Sequence, residues 1–235
     1  MTKLSLIIPC YNESQNIPML IDRCKDLFDL EKDIEIIIVD NGSNDNTPEV
    51  LKKLTSGLDY IKNVKVEVNK GYGHGILSGL SAAKGEILSW SHADLQTDIC
   101  DVLKGVLILE NEPKIEDLFI KGTRKNRPIS DNFFTIGMSI FETCLLRKKM
   151  WDINAQPTMF HRSFYLAWKN PPNDFSLDLY AYFFAKKLQF RIKRFPVFFG
   201  ERAHGVSKWN INLSSKLQFI KRTLIYSLHL RRRMR

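Results

Sequence analysis

Two aspartates close strand-like runs in this chain, and their surroundings define the chemistry open to them. Asp40 ends a β-branched run and opens Val39-Asp40-Asn41-Gly42-Ser43-Asn44-Asp45, and Asp94 ends Ser91-His92-Ala93-Asp94. Carboxylates so placed can hold a divalent metal through hard oxygen ligands, or accept hydrogen bonds from a base or a ribose. A nucleotide sugar asks for both, because its diphosphate must be neutralised as it leaves and its base must be recognised. Gly42 allows a tight turn beside Asp40. The plain alternative is that both are turn or cap residues, where aspartate is common.

The elements that must carry these residues alternate strand and helix at the spacing of βα units. Leu4 to Ile8 reads as a short apolar strand ending at Pro9, and Ile17, Leu20, Ile21, Cys24, Leu27 and Phe28 then share one helical face. Ile34 to Val39 is a continuous apolar run broken only by Glu35, expected of a strand buried on both faces of a parallel sheet. Thr47 is expected as N-cap of the next helix, with Pro48 at its first position. Asn63 to Val68 reads as a third strand, the glycine-rich Gly71-Tyr72-Gly73-His74-Gly75 turns into a helix through Ala83, and Glu86 to Trp90 is a fourth strand. The tetrad ending in Asp94 thus lies at a strand's carboxyl end, where open α/β sheets bind ligands. Further on, the pattern predicts a helix over Phe133 to Leu146, a loop over Asn154 to His161, a helix near Leu177 to Lys187 and a strand near Arg191 to Val197. Trp151, Trp168 and Trp209 are expected in the core.

Composition bounds the rest. A chain of 235 residues with 44 % hydrophobic and 26 % charged residues supports one sizeable core, and excludes a disordered or collagen-like polymer. Cys10, Cys24, Cys100 and Cys144 lie far apart, which argues against a thiolate metal site or a disulfide framework. The start Met1-Thr2-Lys3 enters a strand without a secretory signal pattern, so the cytoplasm is the expected compartment. The formal charge of +9 lies wholly after Glu201, since residues 1 to 201 hold 26 residues of each sign. That distribution argues against a nucleic-acid surface and for a basic tail that meets an anionic partner such as lipid headgroups. Leu213, Leu217, Ile220, Leu224 and Leu228 form the stripe of a basic amphipathic helix, expected as a unit of its own over residues 213–235 after a domain of residues 1–212. Such a helix would lie as a peripheral anchor on the cytoplasmic face of a membrane.

Taken in order, Ile8-Pro9-Cys10-Tyr11-Asn12-Glu13, Val39 to Asp45, Gly71 to Gly75 and Ala93-Asp94-Leu95-Gln96 resemble a GT-A-fold family 2 glycosyltransferase of the polyprenyl-phosphate (dolichol-phosphate mannosyltransferase) branch. The likeness extends to Gly122-Thr123-Arg124, Phe175 to Asp178 and Arg202-Ala203-His204-Gly205-Val206-Ser207-Lys208, and so covers roughly residues 4 to 208. It implies a Rossmann-like, mostly parallel α/β sheet flanked by helices. The transfer it implies is inverting, from a nucleotide-diphosphate sugar to a lipid-linked acceptor.

Carried over by position, Pro9, Tyr11, Glu13, Asp40, Gly71 and Ala93 would line the donor pocket, while Asp94 and Gln96 hold the metal. Arg124, Arg202, Ser207 and Lys208 would face phosphates, and His161 and Arg162 would meet the acceptor phosphate. Asp178 would serve as base if the acceptor is a sugar hydroxyl; a polyprenyl phosphate is already anionic and needs little such help. His92 stands where the family has the first aspartate of its metal motif, and Asn41 replaces a frequent second aspartate after Asp40. Imidazole suits Mn2+ better than Mg2+. Either His92 joins the metal, or Asp94 and Gln96 hold it alone. A homologue that binds nucleotide sugar or lipid without catalysis is the competing expectation.

Overall fold

A computed structural model describes residues 3–126, 129–204 and 213–233 of the chain. The βα alternation is present: β1 (Leu4–Cys10), α1 (Ile17–Leu30), β2 (Ile34–Asn41), α2 (Thr47–Leu54), β3 (Ile61–Val66), α3 (Tyr72–Ala82) and β4 (Ile87–Trp90). A 3-10 turn at Ile99–Asp101 leads to α4 (Val102–Glu110), β5 (Leu118–Lys125) and α5 (Ile129–Leu146). Then follow β6 (Thr158–His161), α6 (Arg162–Leu166), α7 (Ser176–Lys187), β7 (Arg191–Phe198) and α8 (Leu213–Arg233).

The strands of the described residues form one seven-stranded sheet in the order β3-β2-β1-β4-β6-β5-β7. β1 to β4 are mutually parallel, β6 runs antiparallel between β4 and β5, and β7 is parallel to β5. The pleat sends Leu4, Leu6 and Ile8 of β1 into a core with α1 and α4, and Ile7 into a second core with α3 and α7. Helices therefore cover both faces, which is why β2 is buried at nearly every position. On α1 the residues that bury are Ile17, Leu20, Ile21, Cys24 and Leu27, the face set by the helical period.

Four local readings change. Thr47 lies inside α2, whose N-cap is Asn46, and its hydroxyl instead accepts the Glu13 N–H at 2.9 Å. The expected loop over Asn154 to His161 contains β6, four residues that pair with both β4 and β5. Trp151 is 43 % exposed rather than core; Trp168 packs against the second core, and Trp209 lies outside the described residues. Finally, α8 rests on α5 and α7 through Ser227 and Leu230, which are not on the leucine stripe. Of the stripe, Leu228 is exposed and Ile220 and Leu224 are half-buried, whereas the side chains of Leu213 and Leu217 lie outside the described ones.

Candidate active site

The order of β2, β1 and β4 makes the gap between β1 and β4 the point where successive connections leave in opposite directions, and ligands of open α/β sheets sit at the carboxyl ends there. Pro9 lies near the end of β1 at that edge with Tyr11 and Glu13 just past it, Asp40 is the penultimate residue of β2, and Ala93, Asp94 and Gln96 follow β4. Asp40 (5 % exposed) accepts the Ser43 N–H at 3.0 Å, closing a turn in which Gly42 has φ +74 and a Cβ would press on the backbone of Asn69. The two turns lock together, because Asn12 N–H donates to Ser43 Oγ at 3.0 Å and Asn44 N–H to Asn12 Oδ1 at 2.8 Å. Asn44 Nδ2 also donates to the Tyr11 hydroxyl at 3.3 Å.

Asp94 is buried and binds the chain from both oxygens. Oδ1 accepts the Gln96 N–H at 3.2 Å, and Oδ2 forms an ion pair with Arg202 Nη2 at 2.8 Å. Arg202 Nε also donates to Gln96 Oε1 at 3.3 Å. Burial raises the Glu13 carboxyl above its ordinary value and Asp94 adds to the rise, while its hydrogen bond to Asn16 and the charge of Arg202 oppose it. Nearby, Asn16 Oδ1, Asn41 Oδ1 and Ser91 Oγ are buried with no partner among the described residues. Buried polar atoms are normally satisfied, so these three leave hydrogen-bonding capacity unused near the carboxyl edge of the sheet.

The glycine-rich segment has a different job from an open phosphate loop. Gly71 has φ +118, and a Cβ there would lie 2.5 Å from the Asn173 carbonyl oxygen; at Gly73 it would meet the Pro172 carbonyl at 2.6 Å. The His74 N–H donates to Asn173 at 2.8 Å, so the glycines let α3 dock against residues 172–174. Gly71 still touches the site through its carbonyl, which accepts Asn41 Nδ2 at 2.9 Å. The docking also orders an aromatic series in which Tyr72 stacks on His92, with centroids 5.5 Å apart, and on Phe175, 4.9 Å apart.

Behind this wall Asp178 is 1 % exposed. Its Oδ1 accepts Trp90 Nε1 at 3.2 Å and Gln156 Nε2 at 2.7 Å, and Lys121 Nζ stands 4.0 Å away. Lys121 is fully buried, its ammonium bonded to Thr158 Oγ1 at 2.6 Å and its pKa lowered by burial to about 7. Asp178 thus ties α7 to Trp90 of β4 and to Gln156 just before β6, and does not face solvent.

Other expected residues are placed elsewhere or held differently. Arg124 spends Nε and Nη2 on Asp152, whose carboxyl it holds below the ordinary range against the opposing effect of burial. Arg162 donates to the Gly85 carbonyl, and the antiparallel register sets His161 opposite Ile87. Both therefore sit at the amino end of β4, the end opposite Asp94, beside a cleft of about 750 Å3 lined also by Lys3, Lys84 and Glu86. The structure does not bring Arg162 to the carboxyl-end cluster, because β6 runs against β4. Ser207 and Lys208 lie outside the described residues. Asp152, Gln156, Lys121 and Asn16 enter the site or its supports without having been read from the sequence; each is an isolated polar residue with no periodic or motif signal.

Among the described residues no three His, Cys, Asp or Glu side chains converge as a ready metal cluster. The donors present, the Asp94 carboxylate and the Gln96 amide oxygen, are hard oxygens that suit Mg2+ or Mn2+, and both already face a cationic group, Arg202. The residues fit a divalent cation held by Asp94 and Gln96, with His92 engaged by Tyr72.

Solved structures share this architecture. A mannosyltransferase from Pyrobaculum calidifontis in complex with GDP-Man and Mn2+ superposes with TM-score 0.66 at 15 % identity, over 99 % of this chain and 73 % of that one. Glucosyl-3-phosphoglycerate synthase from Mycobacterium tuberculosis in complex with Mn2+ and UDP-glucose gives 0.71 at 18 % identity, over 98 % and 79 %. At these identities the likeness establishes the GT-A fold alone. In sequence, an undecaprenyl-phosphate 4-deoxy-4-formamido-L-arabinose transferase from Proteus mirabilis (strain HI4320) is 31 % identical over 135 residues, which is 56 % of this chain and 39 % of that protein. The enzyme of the same description from Yersinia pestis (strain Pestoides F) is 37 % identical over 99 residues, 40 % of this chain and 29 % of its own length. The matched stretches cover well under half the length of these curated relatives. The model of the family described as "Glycosyl transferase family 2" matches residues 5–165, which hold the turns of Tyr11, Asp40 and Asp94 and more than half of the chain. By that match the chain belongs to glycosyl transferase family 2.

Proposed function

We propose that the chain transfers a sugar, with inversion, from a nucleoside diphosphate to a polyprenyl phosphate. The observation that carries this reading is the joining of Asp94, Gln96 and Arg202 at the carboxyl end of β4, beside the Asp40 turn and the unpartnered polar atoms of Asn16, Asn41 and Ser91. Asp40 and the Tyr11 turn are suited to hold the nucleoside, and Glu13 stands between the two turns. A divalent cation bound at Asp94 and Gln96, Mn2+ or Mg2+, would supply charge neutralisation for the departing diphosphate. Arg202, and Lys208 beyond the described residues, add positive charge for the same leaving group. Arg124 supports from a distance by fastening β5 to Asp152.

The acceptor class is favoured by Asp178. A sugar hydroxyl needs a base within hydrogen-bond reach, and this carboxylate is buried and already accepts from Trp90 and Gln156. A phosphate nucleophile needs no base, which agrees with the curated relatives being undecaprenyl-phosphate transferases. An acceptor in a bilayer also gives α8 a purpose: Ile225 and Leu228 are exposed beside the exposed basic Lys221, Arg222 and Arg232, a composition suited to peripheral contact with anionic lipid. No helix among the described residues is long and apolar enough to cross a membrane. The test is a screen of nucleotide sugars with Mn2+ and Mg2+, each with and without undecaprenyl phosphate. Sugar released or transferred only when a sugar-hydroxyl acceptor replaces the lipid phosphate would reject the acceptor assignment.

A further inference from the structure

Arg202 is fastened onto the turn after β4 more thoroughly than a free phosphate-binding side chain would be. Gly200 N–H donates to the Gln96 carbonyl at 2.7 Å, and Gln96 Nε2 returns a bond to the Gly200 carbonyl at 3.2 Å. Four residues after Gly200, the His204 carbonyl accepts Asn16 Nδ2 at 3.3 Å, so residues 200–204 strap the β4 turn to the β1 turn. From this strap the guanidinium reaches both oxygens that a divalent cation would need, Asp94 Oδ2 and Gln96 Oε1. The planar fork of arginine suits two acceptors at once. Asp94 Oδ1 is meanwhile held by the Gln96 amide, so a metal that draws on Oδ2 must contend with Arg202. Positive charge is wanted there in any state, because Asp94 and Glu13 act on each other as like charges that Arg202 offsets.

We propose that Arg202 is a resident counter-ion of the Asp94–Gln96 pair, which a divalent cation replaces when it arrives with the donor diphosphate. The proposal rests on the donor assignment made above. In the empty site the guanidinium satisfies the two oxygens. On loading, it passes to the diphosphate, which offers it oxygens in place of those it gives up. Metal alone must break the Arg202 contacts without that replacement, so it binds weakly, and metal and nucleotide bind with positive coupling. Residues 200–204 would loosen from Gln96 as the exchange takes place.

Mn2+ binding to the full chain, followed by the paramagnetic resonance of the free ion, tests this directly. The proteins are the wild type, Arg202→Ala, Arg202→Gln and Asp94→Asn, each alone and with UDP, GDP or CDP. Without nucleotide, both Arg202 variants should bind Mn2+ about fivefold more tightly than the wild type, the shift that loss of a partly exposed ion pair supports. The nucleotide that binds should tighten Mn2+ strongly in the wild type and much less in the Arg202 variants, and Asp94→Asn should lose Mn2+ in all cases. Equal Mn2+ affinity of wild type and both Arg202 variants without nucleotide overturns the exchange. The donor assignment survives that result if a nucleoside diphosphate still promotes Mn2+ binding. Mn2+ binding by none of the proteins under any condition overturns the exchange together with the metal part of that assignment. Arg202→Gln keeps a hydrogen-bonding side chain without the charge, so agreement of the two variants separates loss of charge from disturbance of the strap.

Discussion

Glu142 offers a measurable coupling between α5 and α8. The residue is 0 % exposed; its Oε1 accepts the Ser227 hydroxyl of α8, and its Oε2 has no partner among the described residues. Burial pushes its pKa from 4.5 to about 7, against the pull of the Ser227 bond. In the unfolded chain the group ionises near its ordinary value. Between pH 4.5 and about 7 the folded protein therefore retains a proton that the unfolded chain has released, and stability falls as pH rises through that window. At 1.36 kcal/mol per pH unit the gap amounts to a destabilisation of about 3 kcal/mol, complete above about pH 7 and absent below pH 4.5. Glu142→Gln keeps the size of the side chain and an acceptor for Ser227 but cannot ionise. The variant should match the wild type near pH 4.5 and exceed it by about 3 kcal/mol at pH 8 in denaturant unfolding. Hydrogen exchange should localise the effect to amides of α8, whose docking the pair supports. A stability difference that is the same at both pH values would refute the buried-carboxyl reasoning.

Other outcomes follow from the site. Asp178→Asn preserves an acceptor for Trp90 and Gln156, and should lower kcat by less than the roughly 10²-fold minimum expected for loss of a general base; a larger drop in a well-folded variant would restore Asp178 as base. His92→Phe keeps the stack on Tyr72, so Mn2+ affinity in the presence of nucleotide should stay within about threefold of wild type. A loss beyond about tenfold, or a swing of metal preference toward Mg2+ in His92→Asp, would make His92 a ligand. Sedimentation with liposomes should show binding to anionic but not neutral vesicles, weakened by salt and by Arg231→Gln with Arg232→Gln; binding insensitive to lipid charge and salt would reject electrostatic contact through α8.

What could be read from the residues, and what could not, divides along physical lines. The period of Ile17, Leu20, Ile21, Cys24 and Leu27 and the apolar run of β2 report local burial, and both elements form where the pattern puts them. Asp40 and Asp94 follow apolar strands, so their position at the carboxyl edge follows from chain direction in a parallel sheet. β6 is hidden from sequence pattern because Thr158 to His161 is only four residues long and its antiparallel pairing is decided by β4 and β5, both far upstream. That reversal is what carries Arg162 to the wrong end of the sheet for a partner of Asp94. The partners of Arg124 and Asp178 are likewise long-range, with Asp152 and Gln156 each brought in by tertiary packing. The glycines at 71 and 73 answer a close backbone approach to residues 172–174, a long-range demand for a missing Cβ that the glycine-rich run does not itself reveal.

The most direct measurement is transfer itself, with labelled nucleotide sugar, undecaprenyl phosphate and Mn2+, comparing the wild type with Asp94→Ala. The expected result is a lipid-phosphate-linked sugar whose anomeric configuration is opposite to that of the donor, formed by the wild type and abolished in an Asp94→Ala protein whose melting and circular dichroism are unchanged. A retained configuration, or wild-type turnover by folded Asp94→Ala, would contradict the account.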